Sequence, residues 1–209
     1  FDTPAFVVFA SGVSNSTETD PEAYARELAL LDPYLSKSTT LMYFSTTSIF
    51  DPSKADTDYL RHKRIIEDLI RNNAEHYIII RLPILVGHTP NPHTLINFLA
   101  QAIRLQRKIH LHAHACRHLL DIDDLIPILT AHGVKAATQR IINIPGSPKI
   151  TVPDLMTKMQ DILGTRGVFA WEDSGACYDL PEDNGEILFI EQENYIDHVL
   201  RKYLVPSLS

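Results

Sequence analysis

Two side chains that can move a proton lie four residues apart in a segment with helical periodicity. They are Tyr59 and Lys63 in the stretch 58–72, and Asp56 or Thr57 is placed to cap the helix that this stretch predicts. Residues four apart on a helix share one face, so the ammonium group would stand beside the phenol. An ammonium group lowers the pKa of a phenol, which can then exchange a proton with a carbinol or carbonyl oxygen.

A cluster of hydroxyl groups precedes this helix. Residues 45–48 have the sequence Ser-Thr-Thr-Ser and lie near the end of a predicted strand at 40–49, which is rich in β-branched and aromatic residues. Open α/β sheets bind ligands at the carboxyl ends of their strands, so the Thr46 hydroxyl could hydrogen-bond the oxygen that Tyr59 protonates. The cluster could equally satisfy backbone groups at a turn. Both interpretations stay open at this point.

The neighbouring segments alternate between strand and helix patterns. Continuous apolar runs at 5–10 and 76–82 predict buried strands. The segment 21–31 predicts a helix with Asp20 as its N-cap and Pro21 in its first turn. Because the strand patterns are continuous rather than alternating, they indicate a parallel α/β sheet that is buried on both faces.

The pattern changes after Gly87. The alternating segment 108–114 predicts a strand with one wet face, and 165–186 predicts irregular surface structure. The remaining predicted elements are helices at 93–106, 122–131, 152–163 and 193–204 and a strand at 140–144.

The composition excludes some classes of partner. The chain of 209 residues carries a formal net charge of -7, whereas a nucleic-acid-binding surface needs a basic field. No apolar run approaches the roughly 20 residues of a membrane span, and the first ten residues lack the basic flank of a signal peptide. We therefore expect a cytoplasmic protein without a nucleic-acid or membrane partner.

The cysteine and histidine patterns predict no metal site. Cys116 and Cys177 have no metal-binding spacing, and we expect two free thiols. His110, His112 and His114 alternate along a predicted strand, so all three face one side and could in principle bind zinc. No carboxylate pattern accompanies them, so we expect a solvated strand face.

Six segments carry motifs that follow one another in the same order in a known family. They are 6–12, similar to the family's fourth sheet strand; 43–50, similar to hydrophobic-Ser-Thr-x-x-Val-Tyr; 59–63, which holds Tyr-x-x-x-Lys; 81–87, similar to Arg-x-x-Asn-x-Tyr-Gly; 117–124, similar to Arg-Asp-x-x-x-Val-x-Asp; and 143–146, similar to Asn-Ile-Gly-Gly. The chain thus resembles, over almost its whole length, the extended short-chain dehydrogenases/reductases of the NAD-dependent epimerase/dehydratase group.

This resemblance implies an α/β fold with a Rossmann-like parallel sheet flanked by helices and a small C-terminal α+β substrate lobe. Residues 1–87 would form the partial Rossmann-like core, and 88–209 a mixed segment with the substrate lobe and the last sheet elements. The family's Gly-x-x-Gly-x-x-Gly turn, which holds the cofactor pyrophosphate at a helix N-terminus, does not occur in this sequence. We expect a further glycine-rich β-α unit of roughly 20–30 residues ahead of Phe1 in the natural protein.

The resemblance also implies residue roles. Thr46 would polarise the reacting oxygen, Tyr59 would be the acid/base, and Lys63 would lower the pKa of Tyr59 and bind the nicotinamide ribose of NAD or NADP. Other residues would contact the cofactor or the substrate diphosphate. The implied set is Ala10, Ser11, Gly12, Lys63 and Pro83 for the cofactor, and Thr47 and Arg117 for the substrate.

Departures from the family pattern narrow the expected reaction. Thr47 and Ser48 stand where sugar 4,6-dehydratases carry Asp-Glu, which disfavours dehydration, and Ile84 replaces a substrate-contacting Asn. We expect an NAD(P)-dependent nucleotide-sugar epimerase or ketoreductase. The alternative is a non-catalytic sugar-nucleotide-binding or scaffold relative. By resemblance, a homodimer would form through the helices at 21–31 and 58–72.

Overall fold

The computed structural model describes residues 6–35, 39–54, 57–132, 139–182 and 185–205. In chain order its strands and α-helices are β1 (Phe6–Phe9), α1 (Pro21–Leu35), β2 (Thr40–Thr46), α2 (Asp58–Asn73), β3 (Tyr77–Leu82), β4 (Ile84–Val86), α3 (Leu95–Arg104), β5 (Ile109–His112), β6 (Cys116–Arg117), β7 (Leu119–Asp121), α4 (Ile122–Ala131), β8 (Gln139–Gly146), β9 (Ile150–Thr151), α5 (Val152–Leu163), β10 (Phe169–Glu172), β11 (Glu186–Phe189) and α6 (Tyr195–Leu204).

These elements divide between two compact units. The first unit contains Phe1–Leu82, Ile128–Ile144 and Asp179–Leu188; the second contains Pro83–Pro127, Pro145–Tyr178 and Phe189–Ser209. The chain therefore leaves the first unit after β3 and returns to it twice. In the described part of the chain, every helix is too short or too polar to span a bilayer.

A five-stranded sheet in the order β1-β2-β3-β8-β11 forms the centre of the first unit. The pairings of β1 with β2, β2 with β3 and β3 with β8 are all parallel. All six residues of β3, Tyr77–Leu82, are buried, as its continuous apolar sequence predicts for a strand covered on both faces. The fold class expected from the sequence, an α/β fold with a parallel sheet flanked by helices, is confirmed.

Helices α1 and α2 pack on this sheet through residues at helical spacing. Leu31 on α1 and Ile66 and Ile70 on α2 are fully buried in one core cluster with Tyr43 and Ile79 of the sheet. The face of α2 that carries Tyr59 and Lys63 is thereby packed against the strands. Because α2 lies over β2 and β3, its first turns are held at the carboxyl ends of these strands.

The start of α2 follows from its cap. The Thr57 hydroxyl accepts a hydrogen bond from the backbone N–H of Leu60 at 3.3 Å, which satisfies one of the free donors of the first turn. Asp56, the other candidate cap, lies outside the described residues.

Two expectations about strands in the first unit are wrong. The run 5–10 was expected to be a buried strand, but β1 is the edge strand of the sheet, so Phe6 and Val8 remain 40% and 57% exposed. The strand expected at 40–49 ends at Thr46, because Thr47–Phe50 turn into a 3-10 helix capped by the Thr46 side chain.

The second unit is built from α3, α5, α6 and the first part of α4, through Pro127, with three two-stranded sheets, β4-β7, β10-β5 and β6-β9. Its core consists of fully buried apolar side chains from α3, α5 and α6, including Leu99, Ile103, Leu155, Met159, Val199 and Leu200. The segment expected to be irregular, 165–186, contains β10, which pairs in parallel with β5. The sequence did not show this strand because its residues are half-buried or exposed and its partner is distant.

The two cysteines are disulfide-bonded, which corrects the expectation of free thiols. The Cα atoms of Cys116 and Cys177 lie 4.7 Å apart although 61 residues separate them in the chain. The pairing of β5 with β10 brings their segments together, and the backbone N–H of Cys116 donates to the carbonyl of Ala176 at 3.3 Å. This proximity depends on the strand pairing that the sequence did not predict.

A buried ion pair joins α2 to β3 in the first unit. Glu67 accepts hydrogen bonds from the Arg81 guanidinium at 2.5 and 3.0 Å and from the Ser45 hydroxyl at 2.6 Å. Glu67 and Arg81 are each 3% exposed. Burying a charge costs desolvation free energy, which the attraction between Glu67 and Arg81 offsets. Removing either residue would leave the charge of the other buried and uncompensated.

We predict that Glu67→Ala lowers the free energy of unfolding by about 3–5 kcal/mol, because it leaves the Arg81 charge buried without its carboxylate. Urea unfolding measures the effect. Glu186→Ala is the matched control: it removes the carboxylate of the Arg140–Glu186 pair, whose Glu side chain is 48% exposed. That change should cost less than about 1 kcal/mol. Equal losses in the two variants would contradict the prediction.

Candidate active site

The carboxyl end of β2 and the first turns of α2 bring together the three residues predicted to be catalytic. The Thr46 hydroxyl lies near enough to Tyr59 to act on its pKa, and Lys63 Nζ lies 5.8 Å from the centre of the Tyr59 ring. Thr46 and Tyr59 are each 9% exposed and Lys63 is 2% exposed. The spacing of four residues on α2 thus gives the shared face that the sequence predicts.

The hydroxyl cluster satisfies backbone groups, which is one of the two alternatives that the sequence left open. Thr46 Oγ1 accepts a hydrogen bond from the backbone N–H of Ser48 at 3.1 Å, which caps the 3-10 helix. The same oxygen can donate its own hydrogen to Tyr59. Thr47, expected to contact substrate, is 1% exposed, and its hydroxyl donates to the carbonyl of Leu82 at 3.5 Å. Its side chain therefore faces the backbone of β3.

Lys63 is held by two partners inside the first unit. Its Nζ donates to the Tyr43 hydroxyl at 2.8 Å and to Glu27 Oε1 at 3.2 Å. Tyr43 comes from β2 and Glu27 from α1, so the ammonium group ties three elements together. These contacts use two of its three N–H groups.

Glu27 is the centre of this polar cluster and is fully buried. Its carboxylate accepts from the backbone N–H of Val13 at 2.6 Å and from the Tyr43 hydroxyl at 2.7 Å. The His62 Nε2 atom lies 3.0 Å from Oε2 and donates to it, because a carboxylate only accepts. Burial alone would raise the pKa of Glu27, but the hydrogen bonds and the charge of Lys63 lower it to about 2. Glu27 is therefore ionised at neutral pH.

Burial and the Glu27 carboxylate together shift the pKa values of Lys63 and Tyr59. Burial lowers the pKa of Lys63, and the negative charge of Glu27 opposes that effect. Burial and the Glu27 charge raise the pKa of Tyr59 to about 12, although the hydrogen bond with Thr46 acts in the opposite direction. The Tyr–Lys spacing predicted a lowered phenol pKa, so this expectation is wrong for the structure. The first reason is burial of the Tyr59 phenol, and the Glu27 charge adds to it.

Sequence reasoning missed Glu27, Tyr43 and His62. A signal for Glu27 was present: it lies four residues before Leu31 and eight before Leu35, and all three form the buried side of α1. A charged residue on the apolar face of a helix needs a buried partner. The sequence does not show that this partner is Lys63, which lies 36 residues further along.

The segment Ala10–Gly12 follows β1, where the cofactor was expected. Ala10 and Ser11 are exposed and Gly12 is half-buried. A Cβ atom on Gly12 would lie 2.8 Å from Glu27 Oε1 and 2.9 Å from Lys63 Nζ, so only glycine lets the chain pass this close to the polar cluster. The Gly12 backbone and Lys63 therefore lie side by side, and Lys63 has a third N–H group available for a ligand hydroxyl. The sequence holds no glycine-rich turn for a cofactor pyrophosphate.

Pro83 and Arg117, the remaining predicted site residues, belong to the second unit. Pro83 lies between β3 and β4 and is half-buried. Arg117 is half-buried too, and its Nη1 donates to the carbonyl of Cys116 at 2.6 Å.

The three alternating histidines have carboxylate neighbours that the sequence did not reveal. His110 Nδ1 lies 3.0 Å from Glu172, and His114 Nε2 lies 2.5 Å from Asp173. The pairing of β5 with β10 brings these side chains together. Within the described ranges, His, Cys, Asp and Glu form no group of three or more that could hold a metal ion.

We predict that Glu27 stabilises the fold in a pH-dependent way. Its pKa falls from an ordinary 4.5 to about 2 on folding, so its contribution is complete above about pH 4.5 and is lost as the pH falls toward 2. The loss amounts to about 3 kcal/mol. Urea unfolding at several pH values measures it. Glu27→Gln should flatten this part of the profile, while Glu22→Gln, an exposed change on the same helix, should leave it unaltered.

No protein-family model matches the sequence, and no curated protein is similar to it. Solved structures are similar in fold. A dTDP-glucose 4,6-dehydratase from Bacillus anthracis in complex with NAD superposes with a TM-score of 0.66 at 14% identity, covering 96% of this chain and 71% of that chain. A dTDP-4-dehydrorhamnose reductase from the same organism in complex with NADP superposes with a TM-score of 0.65 at 14% identity. The match covers 97% of this chain and 80% of that chain.

A UDP-glucuronic acid 4-epimerase from Bacillus cereus gives a TM-score of 0.64 at 16% identity and covers 98% of this chain and 71% of that chain. It is in complex with UDP-4-deoxy-4-fluoro-glucuronic acid and NAD. The three enzymes share one fold and differ in reaction. The expectation of the resemblance is therefore confirmed at the level of the fold: the chain folds as these NAD(P)-dependent nucleotide-sugar epimerases, dehydratases and reductases do.

Proposed function

We propose that the chain carries the acid-base site of an NAD(P)-dependent enzyme that acts on a nucleotide-sugar, as an epimerase or a ketoreductase. One observation carries this proposal: Thr46, Tyr59 and Lys63 form a cluster at the carboxyl end of a parallel sheet. The three enzymes of the same fold, which act on nucleotide-sugars and hold NAD or NADP, support the substrate and cofactor classes.

The geometry supports a role for each residue. Tyr59 exchanges a proton with the sugar oxygen through its hydroxyl, and Thr46 donates a hydrogen bond toward the same place. Lys63, with Gly12 beside it, would bind the nicotinamide ribose. The cofactor, when bound, supplies or accepts the hydride. Arg117 is the candidate contact for the substrate diphosphate.

The residues after Thr46 argue against a 4,6-dehydratase. Elimination of water needs an acid and a base beside the sugar ring, and the chain has hydroxyls at Thr47 and Ser48 instead of carboxylates. The buried Thr47 hydroxyl, moreover, is bonded to the backbone of β3. This leaves transfer of hydride and proton at one carbon as the reaction type.

The alternative is a non-catalytic relative that binds a sugar-nucleotide or acts as a scaffold. It is favoured by the raised pKa of Tyr59, about 12, and by the pairing of Lys63 with Glu27. A titration of the full-length protein with NADH and NADPH distinguishes the two functions. Saturable binding of either cofactor supports the enzyme, and its absence supports the alternative.

We predict that Tyr59→Phe lowers kcat by about 10²–10⁴-fold and leaves the fold intact, because it removes the transferable proton and little volume. The measurement is nicotinamide absorbance with UDP- and dTDP-sugars as substrates. Tyr77→Phe is the control, since Tyr77 is a buried tyrosine at the start of β3 and has no assigned role. Full turnover in Tyr59→Phe would overturn the proposed role.

A further inference from the structure

We propose that Arg64 on α2 is a positioning residue: it holds the turn that carries Thr46 and so keeps the Thr46 hydroxyl beside Tyr59. The proposal rests on the proposed function and adds to it a side chain outside the catalytic set. The turn consists of residues 46–50, in which Thr46 caps the 3-10 helix Thr47–Phe50, and is called the Thr46 turn below.

Two hydrogen bonds of the Thr46 turn involve Ser48. The backbone N–H of Ser48 donates to Thr46 Oγ1 at 3.1 Å, and the backbone N–H of Asp51 donates to the carbonyl of Ser48 at 3.0 Å. A 3-10 helix has poorer hydrogen-bond geometry than an α-helix, so a piece this short depends on contacts with neighbouring elements. Because Thr46 Oγ1 is bonded to the turn, a shift of the turn moves the hydroxyl that lies near Tyr59.

Arg64 connects the Thr46 turn to the helix that carries Tyr59. Its Nη2 donates to the carbonyl of Ile49 at 2.7 Å, and the Ile49 side chain packs against the apolar cluster that includes Tyr59 and Leu60. A hydrogen bond from a guanidinium group is stronger than one between neutral groups, and the half-burial of Arg64 limits competition from water. One side chain of α2 thereby fixes the position of the turn relative to the phenol.

The Glu67–Arg81 ion pair supports the Thr46 turn at its two ends. Glu67 accepts from the hydroxyl of Ser45, directly before the turn, at 2.6 Å. The Arg81 guanidinium lies 5.1 Å from the centre of the Phe50 ring, within the range of a cation–π contact. Both members of the ion pair are buried and also stabilise the unit, so replacing either one would change stability and position together. Arg64 is half-buried and allows the two effects to be separated.

The first experiment needs no substrate. It measures hydrogen exchange of the Ser48 and Asp51 amides, whose bonds define the Thr46 turn, in the unmodified protein and in Arg64→Ala. We expect both amides to exchange about tenfold faster in the variant, a change in line with the loss of a hydrogen bond to a charged group. Arg64→Lys, which can donate to the same carbonyl, should recover most of the protection.

Arg71→Ala is the matched control, because Arg71 lies on the same helix and is exposed. It should leave the two amides of the turn unaltered. The amide of Ile79, in the centre of β3, reports on the whole unit and should exchange at the same rate in every variant. Equal exchange of the turn amides in Arg64→Ala and in the control would overturn the proposal. So would a gain that extends equally to Ile79, since Arg64 would then stabilise the fold as a whole.

The second experiment measures turnover by nicotinamide absorbance with UDP- and dTDP-sugars. Arg64→Ala should lower kcat by about 10–10²-fold, because a catalytic group displaced by about 1 Å can cost that much. The KM for NADH or NADPH should stay unchanged, since Gly12 and Lys63 keep their places. Arg64→Lys should restore most of kcat, and Arg71→Ala should keep it in full.

A double-mutant cycle shows whether Arg64 acts through Thr46. Once Thr46→Val has removed the hydroxyl, Arg64→Ala should lower kcat little further, because the effects of coupled residues are not additive. Additive losses would overturn the positioning role and leave the proposed function in place. Absence of turnover in the unmodified protein, with the exchange results as expected, would overturn the proposed function and support the role of Arg64 in holding the Thr46 turn.

Discussion

The ion pair between Glu27 and Lys63 is the interaction on which the candidate site depends. Both charges are buried, and moving either one out of water costs several kcal/mol unless it finds a partner. Lys63 places an ammonium group on the face of α2 that carries Tyr59. The Glu27 carboxylate offsets the free-energy cost of burying that charge. The same pairing removes much of the effect that the ammonium group would have on Tyr59. The Glu27 carboxylate thus stabilises the buried Lys63 charge and, after burial itself, contributes to the raised pKa of Tyr59.

Helix α2 connects the Glu27–Lys63 ion pair to the rest of the first unit. Lys63 and Glu67 lie one turn apart on its buried face, and each pairs with a different element. Lys63 contacts Glu27 on α1, whereas Glu67 contacts Arg81 on β3. The two opposite charges thus tie one helix to a neighbouring helix and to the sheet. Both pairs are hydrogen-bonded, and hydrogen bonds have a preferred geometry, so they define the position of α2 more narrowly than the apolar contacts of Ile66 and Ile70 alone.

Local signals were enough to predict much of the fold. Helix α5 has the predicted bounds, Val152–Leu163, because Thr151 caps its start and Gly164 ends it in the left-handed conformation. The apolar run of β3 predicted a strand buried on both faces. Strand β10 and the Cys116–Cys177 pair were missed because both depend on contacts between distant segments, for which the chain holds no local pattern. The candidate site divides in the same way: Tyr59 and Lys63 share a helix, whereas the partner of Glu27 lies 36 residues away.

The close approach at Gly12 has an evolutionary consequence. Its backbone lies outside the left-handed region that favours glycine, so crowding by Glu27 and Lys63 is what excludes a side chain. The Cβ atom of an alanine at position 12 would clash with Glu27 Oε1 and Lys63 Nζ, whereas the backbone conformation itself would accept alanine. A larger residue at position 12 therefore requires both Glu27 and Lys63 to shift or to be replaced. Positions 12, 27 and 63 are thus expected to vary together.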